Sequence, residues 1–371
     1  MDVLARAHAL EASGRRVVHM EIGEPDFTAP APVVEAGMRA LRDGRTAYTP
    51  TLGIPALREA ISGFYEKRFR VRADAARIAI TAGASGGLLT VAALYVNPGD
   101  EILVPDPGYP GYRHFVRAFE GRARALPVGA ESAFQPTLEA VRAAWGPRTK
   151  GLLLGSPSNP TGTLIPREVL QEISLFVAEK KGVLIVDEIY QGLVYGTEPV
   201  TAIGLPGEVV VVNSFSKYFC MTGWRLGWVV LPAGAVRSFE KLAQHLFISA
   251  SSAAQHAALS AFSDESISIL EGRRSEFAKR RDFLVPQLRA AGLTIDAEPH
   301  GAFYVYAGCG RDAKGFSLEL LEREGVAVTP GVDFGSNATG RYVRFAYTRS
   351  MADLEEGAER IKRFAASLPS A

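Results

Sequence analysis

The segment VLIVDEIYQGLVYGTEPVTAIGLPGEVVVVNSFSKYFCMTGWRLG, residues 183–227, holds two short apolar runs, VLIV and VVVV, each followed at once by polar groups. Runs of this length, bounded by turn residues and rich in β-branched side chains, read as buried strands. Asp187 and Tyr190 stand behind the first run, and Ser214, Ser216 and Lys217 behind the second. Ligands in an open α/β sheet collect at the carboxyl ends of the strands, so the chemistry is expected there.

Working outward, similar runs occur at 78–81, 101–104 and 151–154, and helical patterns alternate with them. Such alternation predicts an α/β fold with a mostly parallel sheet covered by helices. Pro55 opens a helix whose stripe is Leu57, Ile61, Phe64 and Tyr65. Val169, Leu170, Ile173, Phe176 and Val177 form the face of another, with Gly182 as its expected stop after Lys180 and Lys181. A further helix is expected near Leu88, after the glycine-rich AGASGG. Beyond about residue 263 the texture changes to the charged helix GRRSEFAKRRDFLVPQLRAAG and strands near 303–306, 326–329 and 341–347. These predict a large domain over 46–270 and a smaller α+β domain from 1–45 and 271–371.

Composition narrows the function classes. The 41 Lys+Arg against 40 Asp+Glu leave a net charge of +1, which disfavours a nucleic-acid or anionic-membrane partner. No apolar run approaches the ~20 residues of a transmembrane helix. The two cysteines, Cys220 and Cys309, lie far apart and suggest neither a disulfide framework nor a metal site, so a cytoplasmic setting is expected. The six histidines form no catalytic pattern.

A lone lysine is usually a solvated charge, because burying an ammonium is costly. Lys217 follows four valines, sits among small hydroxyl residues and precedes Arg225 by eight positions, which suits an amine directed into a cleft and able to form an imine with an aldehyde. Asp187 alone would read as a helix cap; beside a protonated pyridine nitrogen it would stabilise the charged ring. Tyr190, three residues on, would by itself more often be core. The AGASGG turn could offer free amides to a phosphate, with Ser214, Ser216 and Arg225 completing the cup. Arg344, in YVRFAY, reads as a strand charge unless it points inward, where it could grip a carboxylate.

These strings occur in order with IGEPDF at 22–27, YTPTLGIPALREAI at 48–61, DPGYPGY at 106–112, SPSNPTG at 156–162 and VAVTPGVDFG at 326–335. Together they resemble the class I and II aminotransferases of fold-type I, over nearly the whole chain. The resemblance implies pyridoxal 5′-phosphate held as a Schiff base on Lys217, with Asp187 at the pyridine nitrogen. It implies Tyr190 and Asn159 at the ring's phenolic oxygen and Tyr109 stacked on the ring. Ala84, Ser85, Ser214, Ser216 and Arg225 would hold the phosphate, with Tyr48 reaching in from the other subunit of a homodimer. Arg344, Gly23 and Asn159 would bind the substrate carboxylate, and Ile22, Phe27 and Tyr48 would flank its side chain. A ping-pong exchange between an L-amino acid and a 2-oxo acid follows, in amino acid metabolism or biosynthesis. With Ser85 where aspartate-preferring relatives often carry lysine, neutral or aromatic donors are expected to be favoured.

The same residues allow other readings. β-Elimination from cysteine conjugates shares the first steps of the chemistry, and a non-catalytic sensor would bind the cofactor alone; the intact Lys217, Asp187 and Arg344 set argues against the latter. The arm that usually precedes the first helix is nearly absent, so Met1 reads as an internal start.

Overall fold

A computed structural model describes residues 2–368; Met1, the expected internal start, and 369–371 lie outside them. After the short β1 (Val18–His19), the central sheet is built from β2 (Ile78–Thr81), β3 (Glu101–Asp106), β4 (Arg122–Pro127), β5 (Thr149–Gly155), β6 (Val183–Asp187), β7 (Glu208–Ser214) and β8 (Gly227–Val230). Their order is β2-β8-β7-β6-β5-β3-β4. The pairings among β4, β3, β5, β6 and β7 are parallel, and β8 runs antiparallel between β7 and β2. Two reversals restore direction, so the carboxyl end of β2 falls on the same edge as those of β3, β5, β6 and β7.

Alternation along each strand feeds both faces. Leu152, Leu154, Leu184, Val186 and Val211 face one core with α3 (Pro55–Phe69), whereas Leu153, Ile185, Val210 and Val212 face another with α4 (Gly83–Tyr95). Each such Val or Leu, fully buried, contributes roughly 1.5–3 kcal/mol relative to exposure. The strands therefore read as continuous apolar runs because both sides are covered.

The C-terminal part carries a second sheet, in which β12 (Tyr342–Ala346) lies antiparallel between β9 (Tyr304–Gly308) and β11 (Thr329–Pro330). The N-terminal strand joins this region, since Val18 of β1 pairs in parallel with Val326 of β10 (Val326–Ala327). The long α10 (Asp264–Ala290) is capped by Ser263, whose hydroxyl accepts from the Ser266 amide.

Four local expectations are corrected. The helix after the glycine-rich turn starts at Gly83, not near Leu88, so the turn itself is the first turn of α4. The left-handed residue that ends the helix Arg167–Glu179 is Lys181 (φ 55), not Gly182. No helical turn follows Asp187; Glu188 to Leu193 form tight turns closed by Gln191 N–H to Glu188 O (2.9 Å) and Leu193 N–H to Tyr190 O (2.8 Å). Strands β4 and β8 were not anticipated: β4 (RARALP) is an edge strand with mostly exposed side chains, and β8 emerges from glycine within a motif that reads as a loop.

Candidate active site

The strand ends and α4 enclose a cavity of about 540 Å³. It is lined by Gly23, Ala84, Ser85, Tyr109, Asn159, Asp187, Tyr190, Ser214, Ser216, Lys217, Arg225 and Arg344, which is every residue expected at the cofactor or the substrate carboxylate except Tyr48. Tyr48 is 80% exposed and stands away from the cavity of its own chain.

The Lys217 amine donates to Gly23 O at 2.7 Å and lies 5.9 Å from the Tyr190 ring centre. Burial draws its pKa down to about 8; Glu24 opposes that, while Arg344 and Arg225 add to it. Asp187, 3% exposed, accepts from the Tyr112 hydroxyl (3.0 Å) and the Ile189 amide (3.2 Å). Burial raises its carboxyl to about 6, held back by those two hydrogen bonds and by Lys217. Glu188 turns the other way, onto the Thr201 hydroxyl and the Ala202 amide.

Arg344 points inward from β12. Its Nη1 donates to Asn159 Oδ1 (3.0 Å) and its Nη2 to Glu21 O (2.6 Å), and its Cζ lies 4.3 Å from the Tyr304 ring centre. With its carbonyl committed to Arg344, Asn159 keeps its amide donors for a ligand. The Tyr190 hydroxyl meets that of Tyr304 at 2.9 Å. Tyr112 and Tyr304 were missed by sequence reasoning. Tyr112 lies inside the DPGYPGY string and could have been found there, whereas Tyr304 lies in a buried strand with no signal to set it apart from core.

At the other end, Ser214 Oγ donates to Ser216 Oγ (2.9 Å) and accepts from the Ser216 amide (3.0 Å). Gly83 adopts φ +71, and a Cβ there would fall 2.7 Å from an Arg225 Nη2 atom, so only glycine lets the guanidinium lie across the start of α4. Phe27 departs from expectation. It is outside the cavity, edge-on to Phe277 (5.5 Å) and with the Arg273 and Arg280 Cζ atoms 5.2 and 5.1 Å from its ring centre.

This arrangement fits pyridoxal phosphate on three observations. A buried carboxylate, Asp187, has no cation within hydrogen-bonding reach among the described residues, and a protonated ring nitrogen would supply one. A helix start, two serines and an arginine converge as an anion would require. The Arg344 Nε is buried without a partner at the end where a carboxylate would sit.

The model of the family described as aminotransferase class I and II matches residues 15–361. The chain belongs to the class I and II aminotransferases. It is 39% identical to (5-formylfuran-3-yl)methyl phosphate transaminase of Methanocaldococcus jannaschii, across 98% of this chain and 95% of that protein. It is 37% identical to valine–pyruvate aminotransferase of Mycobacterium tuberculosis, across 97% and 94%. A crystal structure of an aminotransferase from Mycobacterium tuberculosis superposes with a TM-score of 0.95 at 37% identity, covering 99% and 96%. The aminotransferase is thus a fold-type I, pyridoxal-phosphate-dependent enzyme.

Proposed function

We propose that this aminotransferase moves the amino group of a neutral or aromatic L-amino acid to a 2-oxo acid in a ping-pong cycle. The observation that carries the donor preference is the charge inventory of the cavity. Among the described residues its cationic lining is Lys217, Arg225 and Arg344, and each has a task. Ser85 supplies no further cation, and the Glu24 carboxylate at the rim would repel a second acidic group.

Bound pyridoxal phosphate supplies an aldehyde carbon and a ring that withdraws electrons from the substrate Cα. The chain does the rest. Arg344 grips the substrate carboxylate, with Asn159 and the Gly23 backbone beside it. The Lys217 amine carries the proton at Cα, helped by a pKa near working pH. Asp187 would hold positive charge on the ring nitrogen, Tyr190 and Asn159 would meet the phenolic oxygen, and Tyr109 would cover the ring. Ala84, Ser85, Ser214, Ser216 and Arg225 would anchor the phosphate.

With one common acceptor, alanine and phenylalanine are expected to exceed aspartate in kcat/KM by about tenfold or more, the scale of leaving a carboxylate unpaired. A clear preference for aspartate would overturn the donor reading.

The same reading makes the active unit a homodimer, since exposed Tyr48 would complete the partner's phosphate site. Sedimentation at assay concentrations should show a dimer, and Tyr48→Phe should weaken cofactor retention; a fully active monomer would rule out the shared site. The two-part division at 46–270 against 1–45 and 271–371, and a cytoplasmic setting supported by two unpaired cysteines, belong to this proposal.

A further inference from the structure

Outside the cavity, a charged cluster joins the two segments that carry the reacting groups. Tyr218 follows Lys217, is 3% exposed, and donates its hydroxyl to Glu271 Oε1 at 2.6 Å. Glu271 lies on α10. The same oxygen accepts from Arg68 Nη1 at 2.6 Å, and Oε2 accepts from Arg274 Nε at 2.7 Å. Both guanidiniums then reach main chain: Arg68 Nη2 donates to Gly192 O (3.2 Å) and Arg274 Nη1 to Val194 O (3.0 Å). Gly192 lies in the turn segment that follows Asp187 and holds Tyr190, and Val194 lies just beyond it.

The Tyr218 ring is wedged between the same parts. Arg68 Cζ lies 4.8 Å from its centre, and a Cβ on Gly192 would fall 2.3 Å from its Cγ. One carboxylate therefore contacts the neighbour of Lys217 directly and the Asp187–Tyr190 turn through two arginines. An isolated exposed pair would be worth little. Here one carboxylate separates two guanidiniums, so neutralising it leaves like charges facing each other and loosens their hold on both carbonyls.

We propose that Glu271 is a positioning residue for transamination, keeping Lys217 in register with Asp187 and Tyr190 through Tyr218, Arg68 and Arg274. The proposal rests on the reading of Lys217 as the cofactor-bearing amine. Neither Glu271 nor its three partners lines the cavity, so their effect passes through position alone.

The test uses the full chain loaded with pyridoxal phosphate, as wild type, Glu271→Gln, Tyr218→Phe and Lys217→Ala. Glu271→Gln is expected to lower kcat about tenfold while KM for the 2-oxo acid stays within about twofold, because the Arg344 end is untouched. It should also move the pH midpoint of the cofactor's visible absorption by about half a pH unit or more and shrink its visible circular dichroism. Tyr218→Phe, which keeps the ring packing, should shift both in the same direction by less, and decides the matter if Glu271→Gln does not fold. An unchanged midpoint and dichroism in the folded variants, whatever their Tm, would show a merely structural cluster and overturn the proposal. Lys217→Ala separates the two ideas. Loss of the titrating band in that variant upholds the Lys217 reading whichever way the Glu271 result falls, and a retained band overturns both.

Discussion

Lys217→Ala is expected to lose transamination by on the order of 10⁴-fold or more, because in the proposed function one side chain supplies both the nucleophilic amine and the Cα proton carrier. The variant should still bind pyridoxal phosphate through Ser214, Ser216, Arg225 and the start of α4, yet lack the pH-titrating visible band. The pH dependence of cofactor capture follows from the same amine. Its folded pKa of about 8 lies below the ordinary 10.5, so it is protonated below pH 8 and neutral above. Capture by the apoenzyme should rise about tenfold per pH unit up to pH 8 and then level off. For folding, the sign is that of a depressed lysine. The unfolded chain binds the extra proton between about pH 8 and 10.5, so this group's destabilising effect is full below 8 and is relieved as pH rises through that window. An undiminished rate in Lys217→Ala, measured by single-turnover kinetics, would remove Lys217 from the chemistry.

Asp187→Ala is expected to lower kcat by about 10²–10³-fold, the scale of removing one electrostatic stabiliser from a buried site. Cofactor retention should fall far less, since the phosphate anchors are untouched. Asp187→Asn, which keeps the Tyr112 hydrogen bond but not the charge, should resemble alanine in kcat rather than wild type. Wild-type kcat in the alanine variant would reduce Asp187 to a residue that organises its own turn, where its Oδ1 accepts from the Ile189 amide.

Much of the fold and site was legible because the signals are local. VLIV and VVVV are apolar along their length since both faces of β6 and β7 are covered, and Asp187 and Ser214, which close the two strands, line the cavity. The missed elements had no such signal. β4 is an edge strand carrying two arginines, so its composition is that of a loop, and only pairing with β3 reveals it. Phe27 was misplaced because the string IGEPDF does not say which way each side chain turns; packing against Phe277 and two guanidiniums decided that.

The sequence by itself determined the α/β class, the order of the strand-end motifs, and the lysine, aspartate and arginine that the cavity brings together. These follow from short-range chemistry and periodicity. Tertiary structure alone decided which hydroxyls join them. Tyr112 reaches Asp187 from 75 positions away, and Tyr304 meets Tyr190 from 114 away. It also decided that Glu271, on a helix outside the cavity, meets the neighbour of Lys217 directly and the chain after Asp187 through Arg68 and Arg274. Such contacts depend on how β9 and α10 return to the sheet edge, a matter of long-range packing that no local pattern of residues encodes.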